Sequence, residues 1–321
     1  MGEQRLLVVG VGSELGSLAT ALLEQQPTFG EILGIDVHPP RRRLRRTEFA
    51  RVEHQNVAEF VHRAITHQPD VIVHLGVWEP HARLGTKDAR TATGNYAKAL
   101  CETLTMLNDV ARVVVRSGVE VYGTQSGLVH DEGSPVRPTS TYGHMLTSLE
   151  SMVADASSSN TVTTVLRFAP VIGAHVPSPL GRLLRLPFVP VDPLSRSQFQ
   201  VVADDDAARA VVHAATRGRQ EAVNIVAGGP VTVNSAMQRG RRVLVPVLPY
   251  TWPIASSLTT LAGAPLPDHV RELLQHGRLA RTTTHDVDYR PAHSTADVIA
   301  RLYSWPSVVR IAPNRTHERV A

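Results

Sequence analysis

Three glycines and one aspartate hold the spacing that first suggests chemistry. Gly10, Gly12 and Gly16 follow directly on the apolar run Leu6-Leu7-Val8-Val9, and residues 17–24 read as a helix. A buried strand, a tight glycine turn and a helix start, in that order, aim backbone N–H groups and the positive helix end at a pyrophosphate. Gly10 and Gly12 let the turn close and the phosphates approach the backbone, and Gly16 lets the helix pack on the strand. Asp36 ends a second apolar strand and lies twenty residues past Gly16. A carboxylate at that distance binds the adenosine ribose hydroxyls of a dinucleotide. The pattern therefore predicts NAD binding through Gly10, Gly12, Ser13, Glu14, Leu15, Gly16 and Asp36. Asp36 would repel a 2′-phosphate, whereas the basic run Arg41-Arg42-Arg43-Leu44-Arg45-Arg46 keeps NADP open.

Such a site needs a scaffold of alternating strands and helices. Residues 48–53, 70–76, 112–117 and 161–167 read as further strands, and 56–68, 88–109 and 142–156 as helices, with Asn56 as an N-cap. The alternation predicts an α/β protein with a Rossmann-type, doubly wound parallel sheet and a smaller C-terminal substrate lobe. Beyond residue 170 prolines become frequent and short segments alternate. Helices are expected near 206–216, 252–261 and 268–275, and a strand at 223–226. The expected division is a dinucleotide-binding domain over 1–170, its sheet completed from about 195–227. Residues 171–321 are then mainly the smaller substrate-binding lobe and a tail, with 310–321 loosely ordered.

Composition narrows the class. The chain has 321 residues, 42% hydrophobic and 19% charged, an ordinary globular balance. It contains no apolar run long enough to span a bilayer and no signal-peptide pattern. A single cysteine, Cys101, rules out an internal disulfide framework and fits the cytoplasm. The fifteen histidines are scattered without zinc spacing, so no metal is expected. Net charge is +4, and the arginine run lacks interleaved aromatics, so it reads as a loop after the second strand rather than a nucleic-acid site. The expected partners are a small-molecule substrate and a second copy of the chain, with no nucleic acid and no membrane.

The motifs together resemble an extended short-chain dehydrogenase/reductase of the NAD-dependent epimerase/dehydratase type, over roughly residues 5–303. Gly10-x-x-Ser13-x-x-Gly16 is similar to the G-x-x-G-x-x-G turn, and Asp36 to the ribose-binding acid. Glu53 stands at the adenine-contacting position, His74-Leu75-Gly76 resembles the H-L-A segment lining the cofactor, and Asn95 matches the asparagine of the long helix. Ser117-Gly118-Val119-Glu120-Val121-Tyr122-Gly123 resembles S-S/T-x-x-V-Y-G, and Tyr142-Gly143-His144-Met145-Leu146 resembles Y-G-x-S-K. Residues 167–173 and 199–210 resemble R-x-x-N-x-Y-G and F-x-H-V-D-D-x-A-x-A.

The resemblance implies an NAD-dependent epimerase or dehydratase acting on a nucleotide sugar, with Leu75, Gly76, Glu53 and Asn95 added to the cofactor site. It also implies a homodimer through the helices at 88–110 and 142–157, with Ala97, Leu100, Leu104, Met145, Leu149 and Met152 supplying apolar contacts. The departures fall on the reactive residues. The family's tyrosine base is Tyr142, but Leu146 stands at the lysine that would lower its pKa. None of the six tyrosines has a lysine four residues on. Gly118 replaces the hydroxyl residue, Pro170 the asparagine and Ala203 the histidine. The remaining candidates for acid–base work are Tyr142, Glu120, His144 and Ser117, with His81 in the loop after the fourth strand. Ser117 is expected to point to the opposite strand face. Redox-neutral chemistry on the same fold, and a non-catalytic dinucleotide-binding regulator, are the alternatives.

Overall fold

The computed structural model describes residues 3–305, apart from 82, 83, 108, 126, 193–195, 248–250 and 284–288. The tail at 310–321 and Tyr250 lie outside the described residues. In chain order the first half runs β1 (Gln4–Val9), α1 (Glu14–Leu23), β2 (Phe29–Asp36), β3 (Thr47–Arg51), α2 (Val57–His67), β4 (Val71–His74), α3 (Thr86–Met106), β5 (Arg112–Gly118), a 3-10 turn (Val119–Tyr122), β6 (Val129–His130) and α4 (Thr141–Ala156). The second half runs β7 (Val162–Phe168), β8 (Val171–Ile172), α5 (Pro179–Leu184), β9 (Phe188–Val191), β10 (Gln198–Phe199), β11 (Val202–Ala203), α6 (Asp204–Arg217), β12 (Glu221–Ile225), β13 (Val231–Thr232), α7 (Val233–Arg239), β14 (Val243–Pro246), α8 (Trp252–Leu261), α9 (Asp268–His276), β15 (Leu279–Ala280) and α10 (Thr295–Ser304).

Seven strands form one parallel sheet in the order β12-β7-β5-β4-β1-β2-β3. Its central strands are continuous apolar runs because both faces are covered. Leu6 to Val9, Val71 to Val73 and Val113 to Val115 are all fully buried. One face packs on α2, α3 and α4 through Phe60, Leu100 and Leu149. The other packs on α1 and α6 through Leu15, Ala19, Ala208 and Val211. The strand order places β12 beside β7, so the chain returns to the sheet after leaving it.

Polar caps set the helix starts, since first-turn amides have no intrahelical acceptor. Ser13 accepts from Gly16 N, Asn56 from Glu59 N and Ser140 from Gly143 N. A third core joins α5, α7, α9 and α10 through Leu183, Met237, Leu273 and Ile299. It is built largely from short segments, α5, α7 and the β9–β14 pair, together with the amphipathic α10. Among the described residues no helix is long and apolar enough to cross a membrane.

Candidate functional site

The carboxyl ends of β1, β2, β4 and β5 open on a cleft of about 360 Å³. In a doubly wound sheet this is where ligands bind. Its outer wall is the glycine turn. Gly10 adopts φ +86, which only glycine takes without strain, and a β-carbon there would meet Gly76 N and the Leu75 carbonyl carbon at 2.6 Å. At Gly12 a side chain would run into the carbonyl of His38, and at Gly16 into the carbonyl of Gly10. The three glycines are thus demanded by the chain's own close packing. Ser13, at the middle glycine position of the motif, donates to Gly10 O at 2.9 Å and caps α1 by accepting from Gly16 N at 2.9 Å.

Asp36 is buried at the tip of β2. Its carboxylate accepts from Gly12 N at 2.9 Å and His38 N at 3.0 Å. Burial pushes its pKa up, and those two amides pull the other way. The arginine run is exposed but partly tied to its neighbours. Arg42 pairs with Glu14 at 2.7 Å, Arg41 Nε donates to Gly12 O at 3.3 Å, and the backbone amides of Arg45 and Arg46 bond to the Glu24 carboxylate. Arg41 also lines the cleft.

Of the expected cofactor residues, Gly10, Gly12, Ser13, Glu14, Leu15, Asp36, Leu75 and Gly76 line the cleft. Gly16 acts one layer behind. Glu53 and Asn95 are placed differently. Glu53 is exposed just beyond the end of β3, and the Asn95 amide lies 3.3 Å from His54 Nδ1; neither is in the wall.

The inner end of the cleft is walled by Trp78, Glu79, His81 and Arg116. Arg116 Nη1 donates to Val77 O at 3.2 Å, and its positive charge acts on the Tyr142 phenol. Tyr142 sits behind it, 5% exposed. The His269 ring lies 4.7 Å from the Tyr142 ring. Burial pushes the phenol far above its ordinary pKa; Arg116 opposes that rise, and Glu79 and Glu120 add to it. Burial would depress His269, but Asp268 and Glu79 overcome it and raise its pKa to about 9. Glu79 Oε1 is 3.1 Å from His269 Nε2, and Asp268 Oδ1 is 3.6 Å from Nδ1, an ion-pair distance too long for a hydrogen bond.

Glu120 is also buried. It accepts from Arg278 Nη1 at 3.1 Å, while Arg278 Nε donates to Gly123 O at 3.1 Å. The fully buried Leu146 stands beside Gly118, against the same carboxylate. Gly118 and Leu146, two of the departures of sequence, therefore pack as one unit with Glu120.

Two expected catalytic residues lie elsewhere. His144 is exposed on the outer face of α4, because two residues past Tyr142 is about 200° round a helix. Ser117 faces away from the cleft, as its strand position requires, and donates to Glu150. Glu150 also takes Arg167 Nη2 at 2.7 Å, and Arg167 Nη1 bonds Tyr122, in a buried network that joins β5, α4 and β7. Arg116, Glu79, His269 and Arg278 were not among the residues singled out from sequence. The last two carry no sequence signal, because the fold brings them in from more than a hundred residues away. Among the described residues the one trio at ligand spacing, Asp205, Asp206 and His293, is already paired with Arg209 and Arg301.

The sequence profile of the NAD-dependent epimerase/dehydratase family matches residues 6–225. The chain belongs to this family. An uncharacterized protein of Mycobacterium tuberculosis is similar to it, 27% identical over 310 residues that cover 91% of this chain and 81% of the relative. Among solved structures, UDP-glucose 4-epimerase of Thermotoga maritima with UDP-glucose superposes with a TM-score of 0.71 at 17% identity, covering 93% of this chain and 98% of that one. The dTDP-glucose 4,6-dehydratase DesIV of Streptomyces venezuelae, with NAD and TYD bound, gives 0.67 at 19% identity over 94% and 96%. At such identities the structural likeness shows the fold.

Proposed function

We propose that this family member binds NAD in the cleft and acts on a nucleotide sugar, with acid–base residues rearranged around Tyr142. The observation that carries this reading is the continuous wall from the Gly10–Leu15 turn through Asp36 to Glu79 and Arg116. Its residues fit a dinucleotide. The first-turn amides of Glu14 and Leu15 have no intrahelical acceptor and face a pyrophosphate position. Each Asp36 oxygen keeps a second lone pair for a ribose hydroxyl. The carboxylate favours NAD over NADP, and Arg41 is the cation a 2′-phosphate would meet.

NAD, when bound, supplies a hydride acceptor. The chain's own residues handle the protons. Arg116 takes over the part of the absent lysine, holding positive charge against the Tyr142 hydroxyl. Glu79 and His81 are the carboxylate and imidazole that face the cleft directly. On the substrate side Arg196 and Gln198 line a second polar cavity of about 410 Å³ that reaches Arg278, suited to a diphosphate. Redox-neutral elimination through Glu120 is the second reading, favoured by the burial of Tyr142 beside Arg116 and His269. Titration calorimetry with NAD, followed by Arg116→Ala and Glu120→Gln, separates the two.

We further assign residues 1–170 with about 195–227 to the cofactor half, and the remainder mainly to the substrate lobe and tail. The lone half-buried Cys101 thiol supports a cytoplasmic setting. A homodimer would use the outer face of α3 and α4, where Arg90, Gly94, His144 and Ser148 line a groove of about 380 Å³. Of the expected contacts, Ala97, Met145, Leu149 and Met152 line this same groove, whereas Leu100 and Leu104 are buried within one chain.

A further inference from the structure

Helix α8 presents an apolar stripe to solvent. Ile254, Leu258 and Leu261 are 64%, 60% and 85% exposed. Spaced four and three residues apart, they share one face of the helix. Trp252 and Thr259 are buried instead, and Trp252 joins the third core. Beside the stripe, Phe188 and Val243 are direct partners across the β9–β14 ladder and are 60% and 54% exposed. Phe188, Val245, Ile254 and Leu258 line one groove of about 300 Å³, so helix stripe and ladder form a single patch. A contiguous exposed apolar surface of this kind marks an interaction site.

Charge indicates the partner. Residues 222–267 contain Arg239, Arg241 and Arg242 and no Asp or Glu, with Glu221 and Asp268 just outside; Arg239 and Arg241 are exposed, while Arg242 lies over the Tyr303 ring. Arg241 and Arg242 lead directly into β14, so the register that pairs Val243 with Phe188 puts them at the end of the groove. Arg185 adjoins the groove residue Leu186. The other polar residues of α8, Ser256, Ser257 and Thr260, are uncharged. Bulky apolar side chains on an uncharged polar helix, with the exposed Arg239 and Arg241 just ahead of β14, complement anionic headgroups above an acyl boundary. A second copy fits poorly, since a two-fold contact would repeat the same patch and set arginines against arginines.

We propose that this face, α8 with the β9–β14 ladder, docks on an anionic phospholipid bilayer. No spanning helix is needed, because an interfacial helix lies in the plane of the surface. The sequence expectation of no membrane partner rested on spanning length alone, which an interfacial stripe does not require.

The test is flotation of the full-length protein with vesicles of phosphatidylglycerol and phosphatidylcholine, against phosphatidylcholine alone. The protein should float with the anionic vesicles only, and less as salt rises. Ile254→Asp with Leu258→Asp should cut the bound fraction at least tenfold with the thermal midpoint and NAD binding unchanged. Leu261→Ser, at the most exposed position, is the milder variant and should cut it several-fold. The proposal is overturned if the anionic vesicles do not bind the protein or if neutral vesicles bind it equally. Folded variants that bind undiminished would overturn it too, as would a wild-type dimer that Leu258→Asp converts to monomer.

Discussion

Gly118 and Glu120 share one volume: a β-carbon on residue 118 would land within the Glu120 carboxylate. Gly118, which the resemblance aligns with a hydroxyl residue, leaves its side-chain space to a buried acid. Leu146, at the lysine position, closes the same space. Restoring the hydroxyl alone therefore does not restore the family's site. Gly118→Ser should destabilise the protein by about 1–3 kcal/mol through overpacking. Urea unfolding measures this, and an unchanged midpoint would contradict the shared volume.

The Glu120–Arg278 pair ties the substrate lobe to the sheet. Both residues are about 5% exposed or less, so removing one leaves a buried charge without its partner. Arg278→Met should cost about 3–5 kcal/mol, and adding Glu120→Leu should recover most of it. A double variant no better than the single would show that the pair is not coupled.

Two buried histidines set opposite pH limits. His269 has its pKa raised to about 9, from an ordinary 6.5. Its contribution is complete below about pH 6.5 and is lost as pH rises through 9, at up to about 1.4 kcal/mol per pH unit. His74, fully buried on β4 without a hydrogen-bond partner for either ring nitrogen, is depressed to about 4. It stays neutral in the fold, so stability falls as pH drops from 6.5 towards 4. His269→Gln should flatten the alkaline limb of a stability–pH curve and His74→Leu the acid limb. The reverse assignment would contradict both environments.

How far the sequence revealed this site depended on sequence distance. The turn at Gly10–Gly16 and Asp36 were legible because strand, turn, helix and acid are local. The central strands were legible as short apolar runs, and α4 and α6 were located to within two residues at each end. Ser117 and His144 were legible as neighbours of the reactive residues but not as participants, because adjacency in a chain is not adjacency in a cleft. Strand alternation and helical rotation carry them away. Arg278 and His269 were not legible at all: they reach Glu120 and Tyr142 only when α9 docks on α4. The helices α5 and α7 are too short to give a periodicity to read, whereas α10 carried a legible signal that was missed, a Ser294–Asp297 capping box followed by Val298, Ile299 and Leu302 at helical spacing.

Asp36 should control cofactor choice. Asp36→Ala removes the acceptor for the ribose hydroxyls and the repulsion of a 2′-phosphate, leaving Arg41 beside the site. NAD affinity should fall about 10–100-fold, at roughly 1.4 kcal/mol per tenfold, while NADP affinity holds or rises. Parallel loss of both would mean that Asp36 only braces Gly12 and His38.

The most direct measurement is calorimetric titration of the full-length protein with NAD and with NADP, after mass spectrometry for cofactor already bound. Saturable binding of NAD, tighter than NADP and lost in Gly12→Val, is the expected result. Absence of binding by a protein free of cofactor would contradict the account, and the cleft between Asp36 and Arg116 would then serve another ligand.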